Sequence, residues 1–238
     1  MIPPNSLARL LFILYALCYV NAAFAQKNKA VTKTTWLINS AERKIRKESI
    51  IKYNDQGDEI EETLFLNNKR EFSSVSKQHY KDGLKVKTVY KQGSTIFHYD
   101  SLRRLIKTDD FRDDMDTIFT TEINTYLADS KNIAFTDCYE FREKTPSNRY
   151  TYEYYDNNLL KKTTLADNSS IYSIIVYHYG PGNLLAYSVE TSHHSTPCGE
   201  KWVTDTIRTY YSYNNGRLRK ERVKVNNRRS IYYLYEYR

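Results

Sequence analysis

The chain has 238 residues, of which 40% are hydrophobic and 27% are charged, and its formal net charge is +8. This hydrophobic fraction is sufficient for a packed core and excludes a disordered chain. The 23 Tyr far outnumber the 9 Phe and 2 Trp, while the 7 Gly and 5 Pro are too few for a collagen-like or low-complexity sequence. Tyr is typical of half-buried strands, because its ring is apolar and its hydroxyl is polar.

The N-terminus has the pattern of a cleavable secretory signal peptide. Arg9 places a positive charge before an apolar run from Leu10 to Val20. Ala23-Phe24-Ala25 then puts small residues where signal peptidase cleaves, with Gln26 as the mature start. The apolar run is shorter than the roughly 20 residues of a membrane-spanning helix.

We therefore predict a signal helix over residues 1–25 and a single mature domain over residues 26–238. One alternative is an uncleaved anchor helix. Another is a lipoprotein acylated at Cys18, which Leu17 disfavours because a small residue is expected before such a cysteine.

The mature chain repeats a short motif. A Tyr is followed by a turn with Asn, Asp or Gly, then by an apolar residue and basic residues, at intervals of about 20 to 35 residues. Asn, Asp and Gly tolerate the positive φ of hairpin turns, so each Tyr is predicted to end one strand and each apolar residue to begin the next. The copies begin at Tyr53, Tyr80, Tyr99, Tyr155, Tyr179 and Tyr213.

Between the turns, side chains alternate with a period of two. Tyr150, Tyr152 and Tyr154 share one strand face, as do Tyr211 and its neighbours at even spacing. This alternation predicts half-buried antiparallel strands. The predicted fold is all-β, an antiparallel meander of consecutive hairpins that forms a long curved or spiralled sheet of about a dozen or more strands.

Two copies of the motif resemble the YD repeats of RHS-type secreted proteins, whose pattern is roughly Y-D-x-x-G-R-L. They are Tyr99-Asp100 with Arg103-Arg104-Leu105, and Tyr213-Asn214 with Gly216-Arg217-Leu218. The resemblance implies export and hairpins wound into a spiral sheet. This chain is too short for a full toxin-enclosing shell, so the resemblance does not imply toxin delivery.

Basic residues concentrate at the C-terminus. From Thr206 onward there are nine basic residues against two acids. A basic patch interleaved with Tyr is typical of a surface that binds lipopolysaccharide, an anionic glycan or nucleic acid, of which nucleic acid is not expected for an exported protein. The alternative is an edge hairpin whose charges prevent aggregation.

No catalytic, metal or cofactor signature is complete. The loop from Ser192 to Glu200 contains His193, His194 and Cys198 but lacks a second ligand cluster or an orienting group. The acidic run from Asp109 to Asp116 lacks the glycine and distal Glu of an EF-hand loop. We predict no catalytic residues, no metal and no cofactor. Cys138 and Cys198 are candidates for one disulfide, and two unpaired thiols are the alternative.

The sequence thus predicts a non-enzymatic envelope protein located in the periplasm, at the outer membrane surface or outside the cell. Its expected partner is a glycan, a lipid or a protein, with no nucleic acid, and edge strands would allow a homo-oligomer. The alternatives are a lipid or lipoprotein carrier with a curved sheet, and a hydrolase that uses the loop from His193 to Glu200. The candidate binding residues are Tyr150, Tyr152, Tyr154, Tyr211, Tyr233, Arg217, Arg219 and Arg222.

Overall fold

The computed structural model of the chain describes residues 32–39, 44–65, 74–114, 117–128, 130–141, 143–167, 170–195, 202–227 and 229–237. The predicted signal helix over residues 1–25 and the candidate disulfide partner Cys198 lie outside these ranges. No helix within them is long and apolar enough to cross a membrane.

Sixteen antiparallel strands make up the fold, and each pairs with the strand before it and the strand after it. Within the described ranges, the one short helical element is a 3₁₀ turn at Pro181–Asn183 between β12 and β13. The strands are β1 Thr32–Asn39, β2 Lys44–Tyr53, β3 Glu59–Leu64, β4 Ser74–Lys81, β5 Leu84–Tyr90, β6 Gly93–Tyr99, β7 Leu105–Arg112, β8 Ile118–Tyr126, β9 Ile133–Glu140, β10 Asn148–Tyr154, β11 Leu160–Ala166, β12 Ile171–Tyr179, β13 Leu185–Ser195, β14 Trp202–Asn214, β15 Arg217–Val225 and β16 Arg229–Tyr237.

The sheet closes into a barrel, so the prediction of a long curved or spiralled open sheet is wrong. β1 pairs antiparallel with β16 along seven residues, from Lys33 opposite Tyr237 to Asn39 opposite Ile231. Closure satisfies the backbone groups that the first and last strands of an open sheet would leave unpaired. The predicted all-β meander of consecutive hairpins is present, but it forms a ring.

The repeated motif corresponds to one end of the barrel. Each even-numbered strand carries a Tyr at its last or next-to-last position, and in β2 to β14 a register shift directly precedes that Tyr. In the copy predicted to begin at Tyr155, the strand ends one residue earlier. The strand-end residues are Tyr53, Tyr80, Tyr99, Tyr126, Tyr154, Tyr179, Tyr213 and Tyr237.

The hydroxyls of these strand-end tyrosines connect successive hairpins. In five of them the hydroxyl donates to a carbonyl at the start of the preceding odd-numbered strand, at 2.9 to 3.1 Å. The motif therefore does more than set a turn, because it also satisfies a backbone acceptor one hairpin away. The donor and acceptor pairs are Tyr99 to Lys85, Tyr126 to Leu105, Tyr154 to Ile133, Tyr179 to Leu160 and Tyr237 to Leu218.

Alternation along the strands separates an inner wall from an outer wall. In β12, Ser173, Ile175 and Tyr177 are buried, whereas the residues between them are half-buried. Residues directly opposite each other in neighbouring strands share a face, so the strand register assigns residues of every strand to the inner or the outer wall. A buried apolar cluster of Ile175, Tyr177 and Leu185 lies on the inner wall.

Candidate binding face on the outer wall

A row of aromatic and basic side chains crosses the outer wall of the C-terminal strands. In four successive strand pairs, His178 lies opposite Tyr187, Tyr187 opposite Tyr210, Tyr210 opposite Arg222, and Arg222 opposite Tyr232. Neighbouring strands are about 4.8 Å apart, so these side chains follow one another closely across the sheet. We call these five residues the aromatic row.

The rings of the row lie against one another and remain accessible. His178 stacks on Tyr187 with centroids 4.3 Å apart and planes inclined by 15°. The rings of Tyr187 and Tyr210 follow at 6.1 Å and 33°, and each of these tyrosines is 37% exposed. The rings therefore cover part of one another's faces, and their remaining exposed surface is available for contact with a ring-shaped ligand.

Three cations flank the rings. Lys220 lies 4.4 Å and Arg222 lies 5.7 Å from the centroid of Tyr232, and Lys224 lies 5.9 Å from that of Tyr210. These distances are within the range of cation–π attraction. In the part of the chain that the structure describes, none of the three takes part in an ion pair, so their charge remains available to an anion.

The predicted binding residues do not form one surface. Arg222 is on the outer wall in the aromatic row, Arg219 is exposed, and Arg217 lies 5.3 Å from the ring of Tyr237 near a turn. The five predicted tyrosines are on the inner wall, as their register partners show: Tyr150, Tyr152, Tyr154, Tyr211 and Tyr233.

The inner tyrosines form part of a hydrogen-bonded polar lining. The hydroxyl of Tyr152 lies 3.3 Å from Thr136 Oγ1, and that of Tyr211 lies 3.4 Å from Ser188 Oγ. Burial raises the pKa of Tyr154 and of Tyr233 to about 12, so both are neutral hydrogen-bonding groups in ordinary buffers.

Carboxyl groups also line the inner wall. Burial, with a further contribution from Asp110, raises the pKa of Glu122 to about 7. Burial and the charge of Glu59 raise the pKa of Glu62 to about 7 as well. Glu221 is 8% exposed, and burial raises its pKa too. The inner wall therefore combines buried carboxyl and hydroxyl groups with buried apolar side chains such as Ile51, Leu165 and Ile175.

The other sequence candidates have structural roles or remain untested. Asp109 is 3% exposed, and its carboxylate accepts hydrogen bonds from His98 Nε2 at 2.9 Å and Thr121 Oγ1 at 2.6 Å. No group of three or more His, Cys, Asp or Glu suited to a metal occurs among the residues described. Cys138 carries a free thiol, and its pairing with Cys198 stays a prediction because Cys198 is outside the described ranges.

Sequence reasoning missed most of the aromatic row. It selected Arg222 but not His178, Tyr187, Tyr210 or Tyr232, because these residues come from four different strands. The sequence did contain a clue, because Tyr210 directly precedes Tyr211 and Tyr232 directly precedes Tyr233. Each pair of adjacent tyrosines puts one ring on each face of the sheet.

Comparisons with known proteins support the barrel and no more. No family model matches the chain, and no curated protein matches it. Among solved structures, a porin-like protein from Bacteroides uniformis ATCC 8492 superposes with a TM-score of 0.54 at 8% identity, covering 90% of this chain and 99% of that one. At this identity the likeness concerns the fold alone.

Two weaker structural matches are crystal structures of TcdB2-TccC3. One, designated TcdB2-TccC3-TEV, has a TM-score of 0.35 at 9% identity and covers 82% of this chain but 13% of that one. The other, without its hypervariable C-terminal region, has a TM-score of 0.35 at 8% identity and covers 84% of this chain and 14% of that one. The YD-repeat resemblance thus remains a resemblance, although the Tyr-turn motif recurs at seven hairpins of the structure.

Proposed function

We propose that the protein is an exported, non-enzymatic binding module that holds an anionic glycan of the cell envelope on its aromatic row. The observation that carries the proposal is the combination of partly exposed stacked rings with cations that have no carboxylate partner among the described residues. Aromatic faces stack on the apolar faces of sugar rings, and Arg and Lys pair with carboxylate, sulfate or phosphate groups.

The charge of the outer wall supports a barrel that faces water. Lys52 Nζ is 2.6 Å from Glu61 Oε1, Lys162 Nζ is 2.7 Å from Glu153 Oε1, and Arg149 Nε is 2.6 Å from Asp137 Oδ1. A lipid-facing barrel needs an outward apolar band, and a basic residue at the bilayer midplane costs about 2–4 kcal/mol. We therefore infer a protein that works beside the membrane or outside the cell, and not one embedded in lipid.

The inner wall argues against the alternative of a lipid carrier. A carrier requires an apolar interior for acyl chains. Here the apolar residues of the inner wall are interrupted by buried polar residues, including Thr136, Thr163, Ser173, Ser188 and Glu221, so the wall offers no continuous apolar surface. We expect no copurifying lipid when the mature protein is examined by native mass spectrometry.

The test is a titration of the mature protein with alginate, a polymer of uronic acids, by isothermal calorimetry at low ionic strength. Tyr187→Ala combined with Tyr210→Ala removes two exposed rings of the row, and we expect the affinity to fall at least about tenfold. Tyr139→Ala is the matched control, because Tyr139 lies opposite Thr121 on another part of the outer wall.

Binding of alginate by the wild type and by the control, weakened in the double variant, supports the proposal. The neutral polymer dextran should bind much more weakly than alginate. Equal binding of alginate by the wild type and the double variant would remove the row as the site, and no binding by the wild type would remove the function.

A further inference from the structure

The outward side chains of β15 are basic without interruption from Arg219 to Lys224. Arg219 is the extra residue at the register shift between β14 and β15, and it is exposed. Lys220, Arg222 and Lys224 follow at alternate positions on the outer wall. Alternate residues of a strand are roughly 6.6 Å apart, so these cations are regularly spaced along the strand. We call these four residues the cation column.

The column brings like charges close together. Arg208 of β14 lies directly opposite Lys224 on the outer wall. Lys220 and Arg222 both approach the ring of Tyr232, at 4.4 and 5.7 Å from its centroid. Like charges directly opposite each other destabilise a strand pair. A bound polyanion would offset this repulsion by pairing with several of the cations at once.

The acids of β14 to β16 do not occupy the outer wall beside the column, apart from one at its start. Asp205 and Glu221 are at inner-wall positions, and Glu221 is 8% exposed. Glu236 is at an outer-wall position two residues beyond Leu234, which lies opposite Lys220. From Lys220 onward, the column therefore faces no carboxylate on the described part of these strands.

We propose that the ligand is a linear polyuronate with a carboxylate on every sugar, and that it runs along β15. This inference rests on the proposed function and specifies its ligand. Tyr210 and Tyr232 lie on either side of Arg222, so a sugar whose carboxylate pairs with Arg222 also meets an aromatic ring. Because no outward position of the column is neutral, a glycan charged on every sugar leaves fewer cations unpaired than one charged on every second sugar.

The experiment measures how the affinity depends on the length and charge density of the ligand. The mature protein is titrated by isothermal calorimetry at low ionic strength with the disaccharide, tetrasaccharide and hexasaccharide of alginate. We expect the hexasaccharide to bind at least about tenfold more tightly than the disaccharide, because it reaches more cations. The hyaluronan hexasaccharide, with a carboxylate on every second sugar, should bind about 3- to 10-fold more weakly than the alginate hexasaccharide.

Arg208→Gln combined with Lys224→Gln removes the charge at the far end of the column. The affinity for the alginate hexasaccharide should fall about tenfold, and the affinity for the disaccharide, which spans fewer cations, should fall less. Arg112→Gln is the matched control, because Arg112 also lies over a ring, 3.6 Å from the centroid of Phe119, but outside the column. It should leave the dependence on length unchanged.

An affinity that rises with the length of the alginate oligomer, and that the double variant reduces, supports the inference. Equal affinities of the disaccharide and the hexasaccharide overturn it, and so do equal affinities of the alginate and hyaluronan hexasaccharides. In both cases binding of the alginate polymer would leave the proposed function standing, whereas a polymer that does not bind removes both. A loss in Arg112→Gln equal to that in the double variant would indicate nonspecific attraction and also overturn the inference.

Discussion

The outer wall uses basic residues in two different ways. From β2 to β11, cations pair with carboxylates of neighbouring strand positions, as in Lys52 with Glu61 and Arg149 with Asp137. Cations also lie over rings there, as Arg149 does over Phe135 at 4.2 Å. From β12 to β16, Lys220, Arg222 and Lys224 lie over tyrosine rings and form no ion pair with a described residue. We call the first region the ion-paired sector, and the second contains the aromatic row.

The comparison shows that the number of basic residues in a region does not by itself indicate a binding surface, because paired and unpaired cations differ. A cation with a carboxylate partner is already neutralised, and an exposed ion pair contributes only about 0–1 kcal/mol to stability. A cation over a ring keeps its net charge and gains a partner that can also stack on a ligand. The two regions therefore have different predicted responses to the same kind of substitution.

The largest expected effect concerns Glu122, a buried carboxyl group on the inner wall of β8 that forms no ion pair with a described residue. Burial holds the pKa of Glu122 at about 7, against 4.5 for an ordinary Glu, so the folded state favours its protonated form. The resulting stability is complete below pH 4.5 and is lost as the pH rises to about 7. We expect a decrease of about 3 kcal/mol in the free energy of unfolding across this window.

Glu122→Gln should remove this contribution, since Gln does not titrate, and leave those of Glu62 and Glu221, whose pKa values burial also raises. Urea unfolding at pH 4.5 and pH 7.5 measures it, with Glu153→Gln as the exposed control. The pH dependence that Asp109 contributes to stability has the opposite sign, because its pKa is lowered on folding. Burial opposes its ionisation, but hydrogen bonds from Lys107 and Thr121 outweigh burial and lower its pKa, so its contribution is lost only in acid below about pH 4. An unchanged pH slope in Glu122→Gln would contradict the assignment.

The next effect tests the strongest ion pair. Arg149 donates through Nε to Asp137 Oδ1 at 2.6 Å and through a second nitrogen to Oδ2 at 2.9 Å, and Asp137 is 9% exposed. Asp137→Asn should lower the free energy of unfolding by about 2 kcal/mol, because a bidentate charge-assisted pair is lost. Lys162→Gln, which breaks the exposed pair with Glu153, should change it by about 0.5 kcal/mol or less. Equal effects of the two in urea unfolding would remove the distinction between them.

For ligand binding, in contrast to stability, we expect cations without an ion pair to matter more than cations that are already paired. Replacing Lys220 and Arg222 by Gln removes two cations that no carboxylate pairs with in the described part of the chain, and the affinity for alginate should fall about tenfold, or about 1.4 kcal/mol. The same change at Lys52 and Lys162, which are already paired, should alter the affinity less than twofold. Calorimetry at matched ionic strength makes the comparison. Similar losses in both double variants would indicate nonspecific attraction of the polymer.

The smallest effect concerns the strand-end tyrosines. Tyr179→Phe loses the hydrogen bond to the Leu160 carbonyl and should cost about 1 kcal/mol, and Tyr154→Phe, at the end of β10, should cost the same. Tyr213→Phe removes a buried hydroxyl without a partner among the described residues, so it should be neutral or stabilising. Thermal unfolding of the three variants tests the order, and a loss in Tyr213→Phe equal to the others would show that its hydroxyl is paired after all.

The hairpins were predictable because their signals are local. Asn215 and Gly216 adopt positive φ of 50° and 74°, as expected for a two-residue turn between β14 and β15. The register shifts were not predictable from alternation. Lys85 and Lys87 should share a face by period two, but the shift next to Tyr80 places Lys85 opposite Tyr80 and Lys87 opposite His79, on different walls.

The site was less predictable, for a related reason. Alternation groups Tyr211 with Tyr213 and separates both from Tyr210, but it does not say which group faces outward. The predicted set therefore combined Tyr211 and Tyr233 of the inner wall with Arg222 of the outer wall. The set is mixed because side-chain chemistry alone selects binding residues from both faces of a strand, and the sequence does not show which face the sheet curls around.

By itself, the sequence determined the strands, the tight turns and the Tyr that ends each hairpin, since these depend on backbone preferences and side-chain spacing within a few residues. The tertiary structure alone decided the closure of β1 onto β16, the choice of inner and outer wall, and the alignment of His178, Tyr187, Tyr210, Arg222 and Tyr232 into one row. These features depend on pairing between distant strands, and pairing energy is shared among many weak contacts that no local pattern encodes.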